Sequence, residues 1–394
     1  MTLETSRLIA DVVEKHADEL VELRRDLHAH PELSWQESRT TDVVAARLEG
    51  SGWLVTRADD TGLVADLGSA GPRIALRADM DALPVDDLTR DPWASTVPGV
   101  AHACGHDVHT TALVGAALAL AEVHAAGLLP TRVRLLFQPA EEVMPGGALR
   151  LMAQGVLADV ERVFALHCDP GIDVGQVGLR LGPLTSAADR VEVRLEGTGG
   201  HTSRPHLTGD LTFALAKVTT ELPAVMSRRM DPRAGVSVVW GMVRAGAAPN
   251  VIPGSGMVAG TVRILDAVAW AECEGMVREA VADIVRPYGV RAVVEYQRGV
   301  PPVVNDAEAN EVLARAVAAV VGADGEVAAP QSLGGEDFGW YLDTVPGAMM
   351  RLGTRTPGGA TYDLHQGNLV VDERAIGIGA RLLAEAAATV LAGS

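Results

Sequence analysis

The pattern of apolar residues changes near residue 185 and changes back near residue 300, and this interruption constrains the fold more than any other feature of the chain. Residues 190–196 alternate strictly between polar and apolar side chains, which is typical of a half-exposed strand. The elements predicted after it are a helix over 208–230, strands over 236–243 and 258–265, a helix over 267–287 and a strand over 291–297. This β-α-β-β-α-β order predicts a split-βαβ, ferredoxin-like α+β domain inserted at residues 185–298.

On either side of the insertion, helices alternate with short apolar strands. The predicted helices cover residues 5–28, 37–50, 110–126, 307–321 and 372–391, and the predicted strands cover 63–67, 73–78, 132–137 and 162–166. Strands that alternate with helices form parallel or mixed sheets covered on both faces. The sequence therefore predicts a discontinuous α/β domain with a mixed sheet over residues 1–184 and 299–394, with a Gly-rich loop between its last two helices.

Length and charge narrow the class of protein further. A chain of 394 residues is long enough for two domains, since single cores rarely grow beyond about 250–300 residues. The net charge of −18 argues against nucleic acid and anionic lipid as partners, because cationic side chains supply most of the affinity for phosphate. The acidic N-terminal stretch has no features of a signal peptide. The odd count of 3 cysteines favours a reducing compartment, so we expect a cytoplasmic protein.

The densest group of reactive side chains lies between His102 and His109, just before the predicted 110–126 helix. It holds three histidines together with Cys104 and Asp107. Thiolate and imidazole are ligands suited to zinc and related divalent ions, and the helix dipole favours a thiolate at a helix N-terminus. A loop with a capping Asp107 and surface histidines is the simpler interpretation. In a chain with only 11 His and 3 Cys, so dense a group favours a metal site.

Two adjacent carboxylates, Glu141 and Glu142, follow the predicted strand 132–137. Open α/β sheets place their sites at the carboxyl ends of strands. Because neighbouring side chains diverge, one carboxylate can bind a metal ion while the other acts as a general base. Taken alone, this pair is better explained as an exposed acidic turn.

Other polar residues also follow predicted strands or lie in the loops after them: Asp79, Asp81, His167, Glu336, Asp337, Asp363 and His365. Each is weak evidence alone, and His167 by itself is better explained as a core or edge histidine. Unrelated structural roles would not place all of these residues at strand ends. The common position therefore favours one site at the carboxyl edge of the sheet.

The insertion carries polar residues of its own. His201 follows two glycines and is predicted to be accessible, while Asn250 and Arg263 are residue types that recognise carboxylates. A turn, a capped loop and an exposed strand arginine explain these three residues slightly better when each is considered alone.

Motifs throughout the chain resemble those of the metal-dependent amidohydrolases of the aminoacylase, hippurate hydrolase and auxin-conjugate hydrolase group, a branch of the dinuclear zinc-peptidase superfamily. The resemblance runs from about residue 20 to residue 390. In order, the motifs are RRDLHAHPELSWQE (24–37), RADMDALP (77–84), HACGHDVH (102–109), LLFQPAEE (135–142), ALHCDP (165–170), GGHTSRPH (199–206), APNVIP (248–253), GTVR (260–263) and GGEDF (334–338).

The resemblance implies roles for particular residues. The residues that match the metal ligands of that group are Cys104, His106, Glu142, His167 and His365. Glu141 matches the general base, and His201 matches the histidine that polarises the substrate carbonyl, often from a partner subunit. Asn250 and Arg263 match positions associated with the substrate carboxylate. Asp81 matches an acidic residue that orients a ligand, and Asp79 stands where the wider superfamily usually has a ligating histidine.

One stretch departs from the pattern of the group. Relatives commonly carry a proline and an aromatic residue after the position of His365, whereas this chain continues Gln-Gly-Asn-Leu-Val-Val-Asp. The ligand is retained while the loop differs, so the resemblance does not predict the shape of the pocket there.

The activity implied by the resemblance is hydrolysis of the amide bond of N-acyl amino acids to a carboxylic acid and a free amino acid. A metal-activated water would attack, with Glu141 as the base. A dipeptidase or an N-carbamoyl amino-acid hydrolase is the main alternative. A ligand-binding relative without activity is remote, because all five ligand positions are intact. A cysteine or serine hydrolase is a further alternative, because Cys104 has several histidine neighbours.

The resemblance also implies cofactors and partners. It implies two divalent metal ions per subunit, zinc or manganese, with cobalt as a third option. A homodimer or higher homo-oligomer is expected through the inserted lid or dimerisation domain, and the expected ligand is a small N-acyl amino acid. Neither the acyl group nor the amino acid can be predicted from the sequence.

Overall fold

The computed structural model describes residues 2–389, so the end of the predicted 372–391 helix lies outside the described residues. The chain divides into two compact units. The first unit comprises Met1–Leu184, Val304–Gln331 and Asp337–Ser394, and the second comprises Thr185–Val303 and Ser332–Glu336. The chain thus returns to the first unit at Val304 and not at the predicted residue 299, and the short segment Ser332–Glu336 groups with the second unit.

The regular elements within residues 2–389 are numbered in chain order. The α-helices are α1 (Leu3–Lys15), α2 (Ala17–Ala29), α3 (Ser38–Leu48), α4 (His106–Ala125), α5 (Gly147–Ala153), α6 (Leu211–Arg229), α7 (Ala267–Val285), α8 (Ala307–Val321), α9 (Gly339–Leu342) and α10 (Arg374–Ala388). The strands are β1 (Leu54–Arg57), β2 (Leu63–Leu67), β3 (Arg73–Asp79), β4 (Arg132–Gln138), β5 (Val160–Asp173), β6 (Val177–Leu179), β7 (Gly182–Pro183), β8 (Ala187–Glu196), β9 (Gly200–His201), β10 (Ser237–Ala245), β11 (Val251–Ile252), β12 (Ser255–Ile264), β13 (Arg291–Val300), β14 (Val304–Asn305), β15 (Glu326–Ala328) and β16 (Gly347–Arg355).

The first unit is built on an eight-stranded mixed sheet in the order β1-β2-β4-β3-β5-β16-β6-β15. Its central strands β4, β3, β5 and β16 are parallel, whereas β1 with β2, β2 with β4, and β6 with β16 are antiparallel. Parallel strands point their carboxyl ends to one edge, which is where this architecture gathers functional side chains. The predicted α/β class with a mixed sheet is confirmed.

One face of this sheet packs against α4 and α10, whose apolar side chains form the main core together with those of β3, β5 and β16. The opposite face carries α5 and α9. Among the described helices, α4 alone is long and apolar enough to cross a membrane, with a mean hydropathy of 1.3, but 72% of its apolar window is buried inside the protein. A core helix passes the same test, and α4 packs as one.

The second unit has the order β8-α6-β10-β12-α7-β13. Its four strands form an antiparallel sheet in the order β10-β12-β8-β13, and α6 and α7 pack on it. The buried Asp189 on β8 accepts hydrogen bonds from the Trp270 indole (2.8 Å) and the Tyr296 hydroxyl (2.7 Å), which ties α7 and β13 to the middle of the sheet. Strands β9 and β11 form a separate two-stranded ribbon.

The sequence prediction differs from the structure most in the Gly-rich region between α8 and α10. That region contains β16, which lies between β5 and β6 and is buried along almost its whole length. A strand covered on both faces shows no alternation of polar and apolar residues, so its pattern was not distinctive. The predicted 5–28 helix is also two helices, which meet at His16.

Two glycines of the second unit allow a matched test of its packing. A Cβ at Gly260 on β12 would lie 2.1 Å from the Val239 carbonyl oxygen, whereas a Cβ at Gly275 on α7 would meet nothing within 4 Å. We expect Gly260→Ala to lower the free energy of unfolding by about 1–3 kcal/mol through overpacking. Gly275→Ala should raise it by about 0.5–1 kcal/mol through helix propensity. Urea unfolding of both variants measures this, and equal effects would contradict the strand pairing.

Candidate metal centre

Helix α4 begins at His106, four residues earlier than predicted, so the histidine-rich segment forms its first turn. Gly105 precedes it with φ +84°, and a Cβ there would lie 2.9 Å from the Cys168 sulfur. This left-handed residue turns the chain into the helix. As a result Cys104 lies just outside the helix and His106 at its start, both buried beneath the carboxyl edge of the sheet.

The five predicted metal ligands all belong to the first unit, and the structure brings their donor atoms together. Cys104, His106 and His167 form one group, and Cys104, Glu142 and His365 form another, with the donor atoms of each group within 4.8 Å of one another. The Cys104 sulfur lies 3.6 Å from the His167 Nε2. The His365 Nε2 lies 3.3 Å from the Glu142 Oε1. Two adjoining groups of soft and borderline donors are the arrangement that a pair of divalent ions requires.

The hydrogen bonds of the two buried histidines test whether these residues fit metal ions. The His106 Nδ1 donates to the Asp81 backbone carbonyl (2.8 Å), and the His167 Nδ1 donates to the Cys168 carbonyl (2.7 Å). Each bond leaves the lone pair of Nε2 directed into the group, as is usual for histidines that bind metal. The His106 Nε2 is buried and has no hydrogen-bond partner within residues 2–389. A buried acceptor without a partner is costly, and a bound cation satisfies it.

The pKa shifts at the centre show which of its groups hold protons. Burial lowers the pKa of His167 well below its usual value, and the neighbouring Arg351 lowers it further, so this imidazole is neutral. Burial raises the pKa of the Cys104 thiol. Hydrogen bonds to Cys104 and Glu142 raise the pKa of His365 to about 10. Thiolate, carboxylate and neutral imidazole are the forms that bind metal, so divalent ions would replace the protons held between these groups.

His365 is held in place by its own backbone. It lies in the loop after β16 with φ +62°, a conformation that non-glycine residues rarely adopt. Its N–H donates to the Ala103 carbonyl (2.7 Å), which fixes the loop against the residue before Cys104. Such strain is maintained where the surrounding structure determines it, and it is common at functional sites.

The two adjacent carboxylates are oriented by Asp81. The Asp81 carboxylate accepts hydrogen bonds from the backbone N–H groups of Glu141 and Glu142, each at 3.0 Å, and from the Ser34 hydroxyl at 2.6 Å. The sequence placed Asp81 behind a metal ligand; it contacts His106 through its carbonyl and the Glu141–Glu142 turn through its carboxylate. One side chain thus sets the geometry of both glutamates.

Glu141 lies next to the metal-binding group. Its Oε2 is 3.9 Å from the His106 Nε2, and its side chain is 9% exposed. The Glu142 Oε1 is 3.8 Å from the same nitrogen. The two carboxylates therefore reach one region from adjacent backbone positions, as a ligand and a base would.

Sequence reasoning missed a buried network that surrounds this group. The Arg77 guanidinium bonds to Asp79 (2.6 Å), Asp337 (2.7 Å) and Gln138 (3.0 Å). Burial would raise the pKa of Asp79, but Arg77 and the neighbouring imidazoles hold it well below its usual range. The sequence did carry one signal of this network, which is Arg77 inside the apolar strand RIALRAD. A buried guanidinium needs buried partners, so its position indicated that such partners exist.

His109 belongs to the same network and is not free to bind metal. Its Nδ1 donates to Asp79 (2.6 Å), and its Nε2 accepts the backbone N–H of Cys168 (2.8 Å). Both nitrogens are used, so His109 links α4 to β3 and β5. Asp79 is likewise engaged by Arg77 and His109.

The remaining predicted site residues lie in the second unit. His201 is exposed on β9, where its Nδ1 accepts the backbone N–H of Ser203 (3.1 Å). Asn250 is exposed in the turn before β11, and its carbonyl accepts the N–H of Thr202 (3.2 Å). Arg263 on β12 is half-buried and donates to the Leu333 carbonyl (3.1 Å). The catalytic and carboxylate-binding roles of these three residues stay predictions.

Comparison with curated proteins finds relatives along most of the chain. A Rhodococcus jostii protein provisionally named glutamate–cysteine ligase 2-3 is 52% identical over 92% of this chain, but the match spans only 46% of that protein. The N-acetyl-L-cysteine deacetylase of Bacillus subtilis is 38% identical over 91% of this chain and 85% of its own length.

Solved structures and family models agree with this relationship. The Bacillus subtilis YXEP protein, described as a dinuclear metal binding peptidase from the M20 family, superposes with a TM-score of 0.84 and 33% identity over 95% of this chain and 98% of that one. Because the match covers 95% of this chain, the shared fold includes both units. With the family model matching residues 75–389, the chain belongs to peptidase family M20/M25/M40.

Proposed function

We propose that this protein is a metal-dependent amidohydrolase that cleaves N-acyl amino acids into a carboxylic acid and a free amino acid. The observation that carries the proposal is the convergence of Cys104, His106, Glu142, His167 and His365 on two adjoining groups with Glu141 beside them. A relative that is 38% identical is named for deacetylation of an N-acetyl amino acid, which is the same reaction class.

The chemistry divides between the cations and the protein. Cys104, His106, Glu142, His167 and His365 would hold two divalent ions, which would supply an activated water and a Lewis acid for the amide carbonyl. Glu141 accepts a proton from the attacking water and delivers it to the leaving amine, a transfer that requires its carboxylate within about 3 Å of each reacting atom. Asp81 holds Glu141 in position through the backbone N–H, so the base is oriented before substrate arrives.

The second unit supplies the predicted substrate contacts in this proposal. His201 would donate a hydrogen bond to the carbonyl oxygen as negative charge develops on it, an interaction typically worth about 2.7–4 kcal/mol. Asn250 and Arg263 would contact the substrate carboxylate.

The donor set and the cysteines support two finer proposals. A thiolate ligand favours zinc, while the carboxylate and imidazole ligands also accommodate manganese or cobalt. The three cysteines, Cys104, Cys168 and Cys273, are all free and buried. Free thiols, one of them a proposed metal ligand, are suited to a reducing compartment, and we propose a cytoplasmic location.

The second unit also offers a surface for a homodimer. Strand β10 lies at the edge of its sheet, and Val239 and Val243 on it are 60% and 55% exposed. An exposed apolar edge strand is a template for pairing with another chain. We therefore propose that two copies associate through the second unit.

The adjacent glutamates should separate catalysis from metal binding. Glu141→Gln removes the base but keeps the turn, so kcat should fall by about 10²–10⁴-fold with metal content unchanged. Glu142→Gln removes a ligand, so metal content should fall as well. Steady-state kinetics and elemental analysis of both variants test this. Wild-type turnover by Glu141→Gln with metal bound would refute the assignment of the base.

Removal of the metal should abolish hydrolysis. We expect chelated protein to be inactive on N-acetyl-L-cysteine and other N-acetyl amino acids, and to recover when zinc, manganese or cobalt is added. A parallel panel of dipeptides and N-carbamoyl amino acids identifies the substrate class. Activity that persists after complete chelation would support a cysteine or serine nucleophile instead.

Charge on the edge strand should disrupt the proposed dimer. Val239→Lys combined with Val243→Lys places two like charges on each β10, so light scattering should show a shift from dimer to monomer. Val268→Lys on α7 is the control, because Val268 is 71% exposed in the same unit and away from the sheet edge. A wild-type protein that is monomeric at micromolar concentration would rule out this interface.

A further inference from the structure

Arg351 occupies an unusual place in the central sheet. It lies on β16, paired in register with His167 on the parallel strand β5 and with Gly178 on β6. Paired residues of neighbouring strands project to the same face, so the Arg351 side chain projects on the side of the sheet that carries His167. Arg351 is 7% exposed.

The Arg351 side chain makes no hydrogen bond or ion pair with any residue from 2 to 389, whereas the side chains of the other arginines of these central strands are paired. Arg77 on β3, which is also buried, bonds to Asp79 and Asp337. Arg355, four residues further along β16, pairs with Asp173. The Arg351 nitrogens are not among the unpaired atoms that are sealed from solvent, so they keep some contact with it.

Leaving a buried guanidinium unpaired is expensive. Burial of a charge without a partner costs several kcal/mol, and proteins pair buried arginines for this reason. The position beside a metal ligand makes the arrangement more costly, because divalent cations repel a guanidinium. An anion that binds during the reaction would compensate both charges.

From this geometry we propose that Arg351 binds a carboxylate of the substrate, next to His167. The inference rests on the proposed amidohydrolase function and adds a binding residue that belongs to the first unit. A guanidinium presents two parallel N–H donors that match the two oxygens of a carboxylate, so it provides orientation as well as charge. By contrast, Arg263 already donates to the Leu333 carbonyl.

A substrate can carry two carboxylates, and Arg351 could bind either of them. Every N-acyl amino acid carries an α-carboxylate on the leaving amino acid, and a dicarboxylic acyl group such as succinyl carries a second one on the other side of the amide. The chemistry of recognition is the same in both cases. Substrates that carry only one of the two distinguish them.

A structural role for Arg351 makes a different prediction. If Arg351 served only to keep the His167 imidazole neutral, or to fill space in the sheet, its loss would weaken binding of every ligand equally or reduce the metal content. A substrate-binding role instead predicts an effect that depends on the carboxylate of the ligand.

The experiment measures affinity in metal-loaded protein that carries Glu141→Gln to prevent turnover. Calorimetry gives Kd for N-acetyl-methionine, N-acetyl-methioninamide and N-succinyl-methioninamide, with and without Arg351→Met. We expect Arg351→Met to weaken one carboxylate-bearing ligand about 10- to 100-fold and to change the uncharged amide less than 2-fold. Arg351→Lys should recover part of the loss, because it restores the charge but not the paired donors.

Arg355→Met is the matched control, since it removes a paired guanidinium from the same strand and should leave all three affinities unchanged. The proposal would be overturned if Arg351→Met weakened all three ligands equally, changed none of them or lost its metal. It would also be overturned if neither carboxylate-bearing ligand bound to the protein that retains Arg351. Failure of the proposed function has a separate signature, because it appears as absent turnover in protein that retains Glu141.

Discussion

The buried Arg77–Asp79–His109 chain of hydrogen bonds is the interaction on which the metal centre depends. It joins β3 to the first turn of α4, and His109 continues it to the backbone of β5 at Cys168. Two of the predicted ligands lie on these same elements, since His106 begins α4 and His167 lies on β5, and Cys104 lies just before α4. A shift of one element would move its ligand, so the network fixes the separation of the donor atoms.

Such a network is not an obvious source of stability. Desolvation of Arg77, Asp79 and Asp337 costs about as much as their mutual attraction returns, and removal of one partner leaves the others buried and unpaired. What the network provides is specificity, because it holds these three side chains in a single arrangement. Asp337 also accepts the amide of Gln138 and the backbone N–H of Ala148, which ties the turn after β4 to the same charges. Metal sites require ligands held to within about 0.5 Å, and fully satisfied polar networks supply that rigidity.

The sequence predicted the parts of this arrangement that depend on local pattern. The mixed sheet, the helix over 307–321 and the grouping of polar residues at strand ends all follow from periodicity and from the parallel-sheet rule. Strand β16 could not be predicted, because a strand buried on both faces has no alternating pattern. The start of α4 was placed too late, since the left-handed Gly105 and the histidines after it resemble a loop in sequence. The pairing of Arg77 with Asp337, 260 positions apart, leaves no local signal.

The acidic composition of the chain and the anionic character of its proposed substrate are compatible once charge is considered locally. The net charge of −18 is spread over the whole molecule, and within physiological salt a charge is felt over only about 8 Å. Beside His167 the sheet carries Arg351 on the neighbouring strand, and the nearby donor groups fit two divalent cations. In the proposal above, a carboxylate that binds next to His167 meets this local positive charge, while Glu141, Glu142 and Asp81 supply the negative charge of the centre. Asp79 and Asp337 share the Arg77 guanidinium, which offsets part of their negative charge. The same buried pairing that joins β3 to Asp337 thus also limits the negative charge around the centre.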